Sequence, residues 1–252
     1  MLLTRSKNSR MKILMTGHEG FIGKTLNDRL WHKGHNLIGL DIKKGDDINK
    51  CSLEHTDLDL IIHLAGKSGV RESVNNPGDY WTTNVEGSRR LFNRFPKTKI
   101  LYASSSSAYA PTLNPYAASK YIMEQIAPNK SLGMRFHTVY SDTPREGMFL
   151  DKLLNNKLEY VTNHSRDFIH IEDLCDAIEL LMDSSDLNGV IDIGTGESVK
   201  VQTLAPKVPI RLNTTHERLH TKANIQTLRN LGFKPKYNIQ KFLTNKTLGT
   251  II

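Results

Sequence analysis

Short apolar segments of strand length alternate with longer helical patterns from Met11 to about Tyr140, and this alternation limits the fold more than any other feature. It is typical of a parallel sheet whose strands are joined by crossover helices. Several of the segments are continuous apolar runs, such as Leu60-Ile61-Ile62, as expected when helices cover both faces of the sheet. The strands predicted here are Lys12 to Thr16, Asn36 to Asp41, Leu58 to Leu64, Lys99 to Ser104 and Ser131 to Tyr140. With helices predicted at Phe21 to Lys33 and Asp79 to Phe95, the pattern indicates an α/β fold with a doubly wound parallel sheet.

The pattern is looser after Tyr140. It contains an apolar stretch from Met148 to Leu154, a strand from Asp167 to Ile171, a helix from Glu172 to Met182 and a strand from Val190 to Ile193. No Pro/Gly-rich linker separates the two halves, so we expect residues 142–252 to form a small α/β lobe packed on residues 11–141. Residues 1–10 hold three cations before the first strand and are predicted to be a loose extension.

The composition is that of an ordinary globular protein, with 38% hydrophobic and 24% charged residues in 252. No apolar run approaches the roughly 18 residues that cross a bilayer, and the first ten residues lack the apolar centre of a secretory signal, which predicts a cytoplasmic protein. Cys51 and Cys175 are isolated from each other and from histidine clusters, so neither a disulfide framework nor a metal site is predicted.

A net charge of +8 suits nucleic acid, a membrane surface or small anionic ligands, and the charge alone does not choose among them. The lysines and arginines are spread over the whole chain and form only short pairs such as Lys43-Lys44 and Arg89-Arg90. This distribution favours a solvated basic surface. We therefore expect neither a nucleic-acid nor a membrane partner.

The first strand runs directly into the glycine-rich turn Gly17-His18-Glu19-Gly20-Phe21-Ile22-Gly23, which opens a helix. Glycines between a strand and a helix are typical of a dinucleotide-binding site, although the spacing here is G-x-x-G-x-x-G. Gly17 permits a tight turn, Gly20 lets the backbone approach a pyrophosphate, and Gly23 permits close helix packing. The N–H groups at the helix N-terminus then bind the anion. Residues 11–141 are thus predicted to be a Rossmann-type dinucleotide-binding domain.

Asp41 ends the second strand about 20 residues beyond the glycines. A carboxylate there accepts hydrogen bonds from the ribose hydroxyls of NAD and repels the 2′-phosphate of NADP. Lys43 and Lys44 follow closely and keep NADP as an alternative. The predicted cofactor is NAD.

Tyr116 and Lys120 lie four residues apart, hence on one face of a helix that begins near Asn114 or Pro115. A nearby ammonium is expected to lower the pKa of the phenol, which makes Tyr116 a candidate general base. Such a pair alone is more often a solvated helix face. Here the glycine turn upstream and four serines at the carboxyl end of a strand favour a catalytic interpretation, because ligands of open α/β sheets bind at those strand ends.

Further motifs follow in a fixed order along the chain. They are Gly17 to Gly23, His63-Leu64-Ala65-Gly66, Ser68-Gly69-Val70-Arg71, Asn75-Asn76-Pro77, Thr83-Asn84, Ala103 to Tyr109, Tyr116 to Lys120, Arg135-Phe136, Thr138-Val139-Tyr140, Arg166-Asp167-Phe168, Gly194-Thr195-Gly196 and Leu231 to Pro235. In this order they resemble the extended short-chain dehydrogenase/reductases of the NAD-dependent epimerase/dehydratase group, especially UDP-glucuronate-type 4-epimerases. The resemblance runs from Met11 to about Leu243.

The resemblance implies a tightly held NAD that takes a hydride from a nucleotide sugar and returns it to the opposite face of a keto intermediate. It gives Tyr116 the role of base, Lys120 that of tuning the base and holding the ribose, and Ser105 that of a hydrogen-bond donor to the reacting oxygen. Ser106 and Ser107 stand where the family's dehydratases carry Asp-Glu, which favours epimerisation. The resemblance also implies a homodimer through the helices at 79–95 and 115–127.

Together with the glycine turn and Asp41, the resemblance implies a set of cofactor contacts, which are Gly17, Gly20, Phe21, Ile22, Gly23, Asp41, Asp47, Ile48, Leu64, Ala65, Gly66, Asn84, Tyr116 and Lys120. The predicted substrate contacts are Arg71, Ser106, Ser107, Thr138, Arg145 and Arg166, with Asn84 also near the sugar and Arg166 on the diphosphate. An ion pair of Arg166 with Asp167 is the alternative for that arginine. His63 is expected to be a packed core histidine, and His18 and Glu19 exposed turn residues.

The chain departs from the family pattern in three places. The loop between Tyr109 and Tyr116 is short, Ser141-Asp142 replaces Gly-Pro, and Thr214 stands where the family has an arginine, with Arg211 and Arg218 only flanking it. Two other functions therefore stay open: a nucleotide-sugar or keto-sugar reductase, and a non-catalytic NAD-binding sensor or scaffold.

Overall fold

The computed structural model describes residues 9–184, 186–212 and 216–248. Residues 1–8 of the predicted extension, and Thr214, lie outside these ranges. The strands are β1 Lys12–Thr16, β2 Asn36–Leu40, β3 Leu60–His63, β4 Ile100–Ser105, β5 Ser131–Phe136, β6 Thr138–Tyr140, β7 Val161–Thr162, β8 Ser165–Arg166, β9 Phe168–His170, β10 Gly189–Ile193, β11 Val199–Lys200 and β12 Ile210–Arg211.

The helices lie between the strands, and most carry one buried face. They are α1 Phe21–His32, α2 Val70–Asn75, α3 Pro77–Tyr80, α4 Gly87–Arg94, α5 Pro115–Gln125, α6 Phe149–Leu154, α7 Ile171–Met182, α8 Val201–Leu204, α9 Gln226–Asn230 and α10 Ile239–Leu248. A π-helical segment, Trp81–Glu86, joins α3 to α4, and 3₁₀ turns occur at Ile42–Lys44 and Ser106–Tyr109. Among the described residues, no helix combines the length and the apolar composition that crossing a bilayer requires.

The main sheet has six parallel strands in the order β10-β5-β4-β3-β1-β2, which confirms the predicted doubly wound α/β fold. The strand order reverses between β1 and β3, because β2 lies on one side of β1 and the later strands lie on the other. A crevice outside the carboxyl ends of the strands at such a reversal is where ligands of these sheets bind. The topology alone therefore places a site beyond Thr16 and His63.

Two apolar clusters cover the two faces of the main sheet. One packs Leu26 of α1 and Leu174 of α7 against the sheet, and the other packs Phe92 of α4 and Met123 of α5. A third cluster belongs to the second half of the chain and includes Tyr140, Leu150, Val161, Phe168, Val201, Leu204 and Ile239. The part of the chain after residue 141 is therefore divided, because α7 and β10 belong to the main sheet and its core while this third cluster lies apart from them.

The predicted strand from Ser131 to Tyr140 is two strands. At the break, the His137 backbone N–H donates to Ile193 O, and the next N–H, of Thr138, donates to Asp167 O. The chain thus leaves the main sheet after β5, and β6 pairs with β9 instead. The apolar pattern does not reveal this change of partner.

The predicted helix from Asp79 to Phe95 is also interrupted. It begins at Pro77, passes through the π-helical segment and ends at Arg94. Such wide turns are frequent at functional sites. The segment contains Asn84, which is completely buried.

Candidate active site

The glycine turn has the geometry that its sequence predicts. Gly17 has a φ of +74°, and a side chain there would lie 2.6 Å from Ala65 N. A side chain at Gly23 would lie 2.1 Å from Gly17 O, so α1 starts directly on the turn. Gly20 precedes the first residue of α1 and supplies no side-chain cap. The N-terminal N–H groups of α1 are therefore left for a ligand, as a bound pyrophosphate requires.

Asp41 connects the glycine turn to the end of β2. Its buried carboxylate accepts hydrogen bonds from Glu19 N at 2.8 Å and from Lys43 N at 2.9 Å. The two lysines that keep NADP as an alternative are turned towards Glu19. Lys43 Nζ donates to Glu19 O at 3.0 Å, and Lys44 Nζ lies 3.6 Å from Glu19 Oε1. These contacts leave the Asp41 carboxylate as the charge at the ribose position.

The expectation that His18 and Glu19 are exposed is wrong. Their side chains are only 15% and 26% exposed. The reason is Gly39 on β2, because a side chain there would lie 2.6 Å from the His18 ring. The missing side chain at Gly39 therefore makes room for the imidazole.

A cavity of about 1670 Å³ extends along the carboxyl ends of the strands, from the glycine turn to the second half of the chain. Pockets for one small ligand measure roughly 300–1,000 Å³. This cavity therefore has room for a dinucleotide and a second nucleotide-sized molecule. Its lining includes every predicted site residue except Asn84, namely Gly17, Gly20, Phe21, Ile22, Gly23, Asp41, Asp47, Ile48, Leu64, Ala65, Gly66, Arg71, Ser105, Ser106, Ser107, Tyr116, Lys120, Thr138, Arg145 and Arg166.

Asn84 lies behind the cavity wall. Its Oδ1 accepts from Lys67 N at 2.7 Å, and its Nδ2 donates to Lys67 O at 3.0 Å and Ser119 Oγ at 2.9 Å. The predicted contact of Asn84 with the cofactor and sugar stays a prediction. The side chain fixes the segment after Gly66 against α5.

Helix α5 brings Tyr116 and Lys120 to the cavity as predicted. The helix starts at Pro115 and is capped by Asn114, whose Oδ1 accepts from Ala117 N at 2.7 Å. Lys120 is buried, and its Nζ donates to Ala103 O at 2.7 Å. Burial lowers the pKa of Lys120 to about 8, and the carboxylate of Glu124 opposes this change.

Tyr116 lies at the cavity with its ring edge-to-face with Tyr80, at a centroid distance of 6.0 Å. Burial raises the pKa of Tyr116, while a hydrogen bond with Ser105 and the positive charge of Arg145 lower it. The sequence predicted a lowered pKa for Tyr116, whereas burial raises this pKa in the structure, and the cation that opposes the effect of burial is Arg145. Arg145 Nη1 donates to Ser68 Oγ at 2.7 Å on the same side of the cavity.

Ser105 ends β4 and caps the 3₁₀ turn that follows it. Its Oγ accepts from Ser107 N at 3.1 Å, in addition to its hydrogen bond with Tyr116. Ser106 and Ser107 form the start of that turn and line the cavity. The serine run is therefore a polar turn that also presents Ser105 to the phenol.

His63 is the core histidine that the sequence predicts. Its ring nitrogens lie 2.6 Å from Thr16 Oγ1 and 2.9 Å from Ser88 Oγ. Burial, aided by the charge of Lys120, lowers the pKa of His63 to about 3. The imidazole is therefore neutral at physiological pH and joins β3 to its neighbours.

The sequence interpretation did not include two charged residues behind the site, Glu124 and Arg135. Glu124 lies one turn beyond Lys120 on α5 and is paired with Arg135 of β5. Ser104 Oγ donates to the same carboxylate at 2.5 Å. The Arg135 guanidinium also lies 4.1 Å from the ring centre of Tyr109. The i, i+4, i+8 spacing from Tyr116 through Lys120 to Glu124 is the signal that places Glu124 on the same helix face.

The end of the cavity that lies in the second half of the chain carries a half-buried ion pair. Arg166 Nη2 donates to Glu217 Oε2 at 2.9 Å, and the alternative of a pair with Asp167 is wrong. Asp167 is fully buried and accepts from the backbone of Thr195 at 2.8 Å and of Gly196 at 2.9 Å. Arg71 and Thr138 also line this end of the cavity, which is basic and polar.

Comparisons with known proteins identify the family of the chain. CapI of Staphylococcus aureus is 29% identical, with 91% of this chain and 95% of CapI covered. UDP-glucuronate 4-epimerase 4 of Arabidopsis thaliana is 26% identical, with 93% and 74% covered. The solved structure of MoeE5 in complex with UDP-glucose and NAD superimposes with a TM-score of 0.78 at 26% identity, over 96% of this chain and 100% of MoeE5. The profile of the NAD dependent epimerase/dehydratase family matches residues 13–194. This match spans more than half of the chain, and the protein therefore belongs to the NAD-dependent epimerase/dehydratase family, with NAD as the cofactor that the glycine turn and Asp41 predict.

Proposed function

We propose that the protein is an NAD-dependent nucleotide-sugar 4-epimerase. The observation that carries this proposal is the position of Tyr116, which meets Ser105 in the same cavity that begins at the glycine turn. A phenol placed there is within reach of both a dinucleotide and a second ligand. The names of the relatives, among them UDP-glucuronate 4-epimerases, support the reaction type.

In this proposal, Tyr116 takes the proton of a sugar hydroxyl while Ser105 hydrogen-bonds the reacting oxygen. NAD held at the glycine turn would supply the hydride-accepting and hydride-donating chemistry at the same carbon. Arg145 stabilises the phenolate form of Tyr116, because its positive charge lowers the pKa that burial raises. Lys120, held at the cavity wall by Ala103 O, supplies a donor towards the ribose.

The substrate in the proposal is a UDP-hexose or UDP-hexuronic acid. MoeE5 has been solved with UDP-glucose and with UDP-glucuronic acid, at 26% and 25% identity. In the proposal, Arg166 binds the diphosphate, and Arg71, Thr138 and Arg145 contact the sugar; the lining of the cavity by all four residues supports this assignment. Dehydration is disfavoured, because Ser106 and Ser107 have no acidic proton with which to expel water.

We also propose a homodimer through the helices at 79–95 and 115–127. Two large apolar side chains on these elements are exposed, Trp81 at 49% and Tyr121 at 37%. The two elements pack on each other, so their outer sides form one continuous surface. Sedimentation of the wild type and of Trp81→Ser tests this arrangement, and a wild-type monomer at micromolar concentration contradicts it.

Incubation of the purified protein with UDP-, GDP- and dTDP-sugars separates the possible functions. Formation of a product epimer without added cofactor supports the epimerase. Stoichiometric oxidation of NADH or NADPH supports a reductase, and NAD binding without turnover of any sugar supports a sensor or scaffold. Either of the last two results refutes the proposal.

A further inference from the structure

Arg166 is held by partners of its own in the cavity. Its side chain is 15% exposed, and Nη1 donates to Arg218 O at 2.7 Å and to Ser165 O at 3.1 Å. Nη2 donates to the carboxylate of Glu217 at 2.9 Å. Glu217 thus supplies the negative charge for a guanidinium that burial would otherwise leave uncompensated.

The segment that carries Glu217 is tied to the catalytic side of the cavity. Asn114 Nδ2, at the start of α5, donates to His216 O at 2.8 Å. Arg218 Nη1 donates to Ser106 O at 3.0 Å in the serine turn. His216, Glu217 and Arg218 all line the cavity. The Glu217 side chain is 28% exposed, so it has solvent beside it into which it can turn.

A diphosphate and a carboxylate compete for one guanidinium. A carboxylate presents two anionic oxygens in a plane, and a diphosphate presents anionic oxygens in tetrahedral groups. Both accept hydrogen bonds from the guanidinium N–H groups, and both are attracted by its positive charge. With Glu217 in contact with Arg166, an incoming diphosphate meets a like charge and an occupied donor. One N–H of Nη2 is occupied by Glu217, and the carboxylate repels phosphate oxygens that approach the same guanidinium, so separation of the pair favours diphosphate binding.

We propose that Glu217 is an internal substitute for the substrate diphosphate. In the free enzyme Glu217 occupies Arg166, and the diphosphate displaces Glu217 from Arg166 when the substrate binds. The inference rests on the proposed nucleotide-sugar site. It assigns to Glu217 the role of setting the affinity for the diphosphate portion of the ligand, and it predicts no effect on the nucleoside portion.

The test is isothermal titration of the full chain, saturated with NAD, with UDP and with uridine. Glu217→Gln keeps an oxygen that accepts from Arg166 and removes the charge. Glu159→Gln is the matched control, because Glu159 is an exposed carboxylate that lines the same cavity. Both variants change the net charge by the same amount. Glu217→Ala, checked by thermal unfolding, separates loss of the charge from effects of the amide.

We expect Glu217→Gln to bind UDP about three- to fivefold more tightly than the wild type, since it no longer loses one partly exposed charge pair on binding. Uridine affinity stays within about twofold, as does UDP affinity in Glu159→Gln. Added salt narrows the difference between wild type and Glu217→Gln. Glu217→Ala behaves like Glu217→Gln.

Equal or weaker UDP binding by Glu217→Gln overturns the inference, because Glu217 then acts as scaffold or as a support for binding. An equal gain in uridine and UDP affinity overturns it as well, since the effect is then unrelated to phosphate. If the wild type binds NAD but neither UDP nor uridine, the proposed nucleotide-sugar function fails and this inference fails with it.

Discussion

The guanidinium of Arg135 donates two parallel hydrogen bonds to the carboxylate of Glu124, with N–O distances of 2.8 and 2.7 Å. The two side chains are 13% and 2% exposed. The pair joins β5 to α5 directly behind Lys120, and Ser104 of β4 shares the carboxylate. It therefore holds β4 and α5, which carry the candidate catalytic groups, against β5.

Removing the charge of one partner of this ion pair should lower the free energy of unfolding more than replacing both partners with apolar residues. Glu124→Gln leaves the Arg135 charge buried without its counter-charge, and we expect the free energy of unfolding to fall by about 3–5 kcal/mol. The double variant Glu124→Met, Arg135→Met should lose less than Glu124→Gln, because no charge is left behind. Urea denaturation measures both, and a double variant less stable than the single variant contradicts the expectation.

Tyr116→Phe should retain NAD affinity and lose chemistry. Removal of a general base costs roughly a hundred- to ten-thousand-fold in the chemical step. Single-turnover measurement of sugar epimerisation gives the rate, and fluorescence titration gives the NAD affinity. Tyr121→Phe, an exposed tyrosine on the same helix, is the control and should keep its rate. Unchanged turnover in Tyr116→Phe would remove Tyr116 from the proposed role.

Lys120 should make the stability of the fold depend on pH in the alkaline range. Its pKa is about 8 in the folded protein and about 10.5 when exposed, so the unfolded chain binds more protons between these values. Folding stability therefore rises with pH through this window. Relative to Lys120→Met, the free energy of unfolding of the wild type should rise by on the order of 3 kcal/mol between pH 7 and pH 10.5. A stability difference between the two proteins that does not change with pH would show that the ammonium is not buried.

Gly23→Ala should damage the cofactor site and the fold together. The new methyl group would lie 2.1 Å from Gly17 O, so α1 or the turn must shift. We expect a loss of about 1–3 kcal/mol in the free energy of unfolding and about tenfold or more in NAD affinity. Gly78→Ala is the control, because a methyl group there meets no atom within 4 Å. NAD affinity equal to that of the wild type in Gly23→Ala contradicts the proposed cradle.

Local patterns predicted the main sheet well and the second half of the chain less well. Each of β1 to β4 coincides with an apolar run in the sequence, and Asn114-Pro115 marks the start of α5. The sequence pattern does not show the break at His137, because the strands on both sides of it are apolar. The pairing partner of β6, which is β9, lies 30 residues further along the chain. Periodicity reports burial, and it carries no information about which strand pairs with which.

The sequence by itself determined the glycine turn, the acid that follows β2, and the tyrosine and lysine on one face of α5. These features depend on spacings within one strand, one turn or one helix, which short-range geometry sets. Only the tertiary structure decided that Asn84 is buried against Lys67, that Arg145 is the cation that opposes the raised pKa of Tyr116, and that Glu217 contacts Arg166. These contacts join residues that lie 17 to 51 positions apart in the sequence. Electrostatic energy depends on the distance between charges in space and on their burial, and local sequence spacing reveals neither.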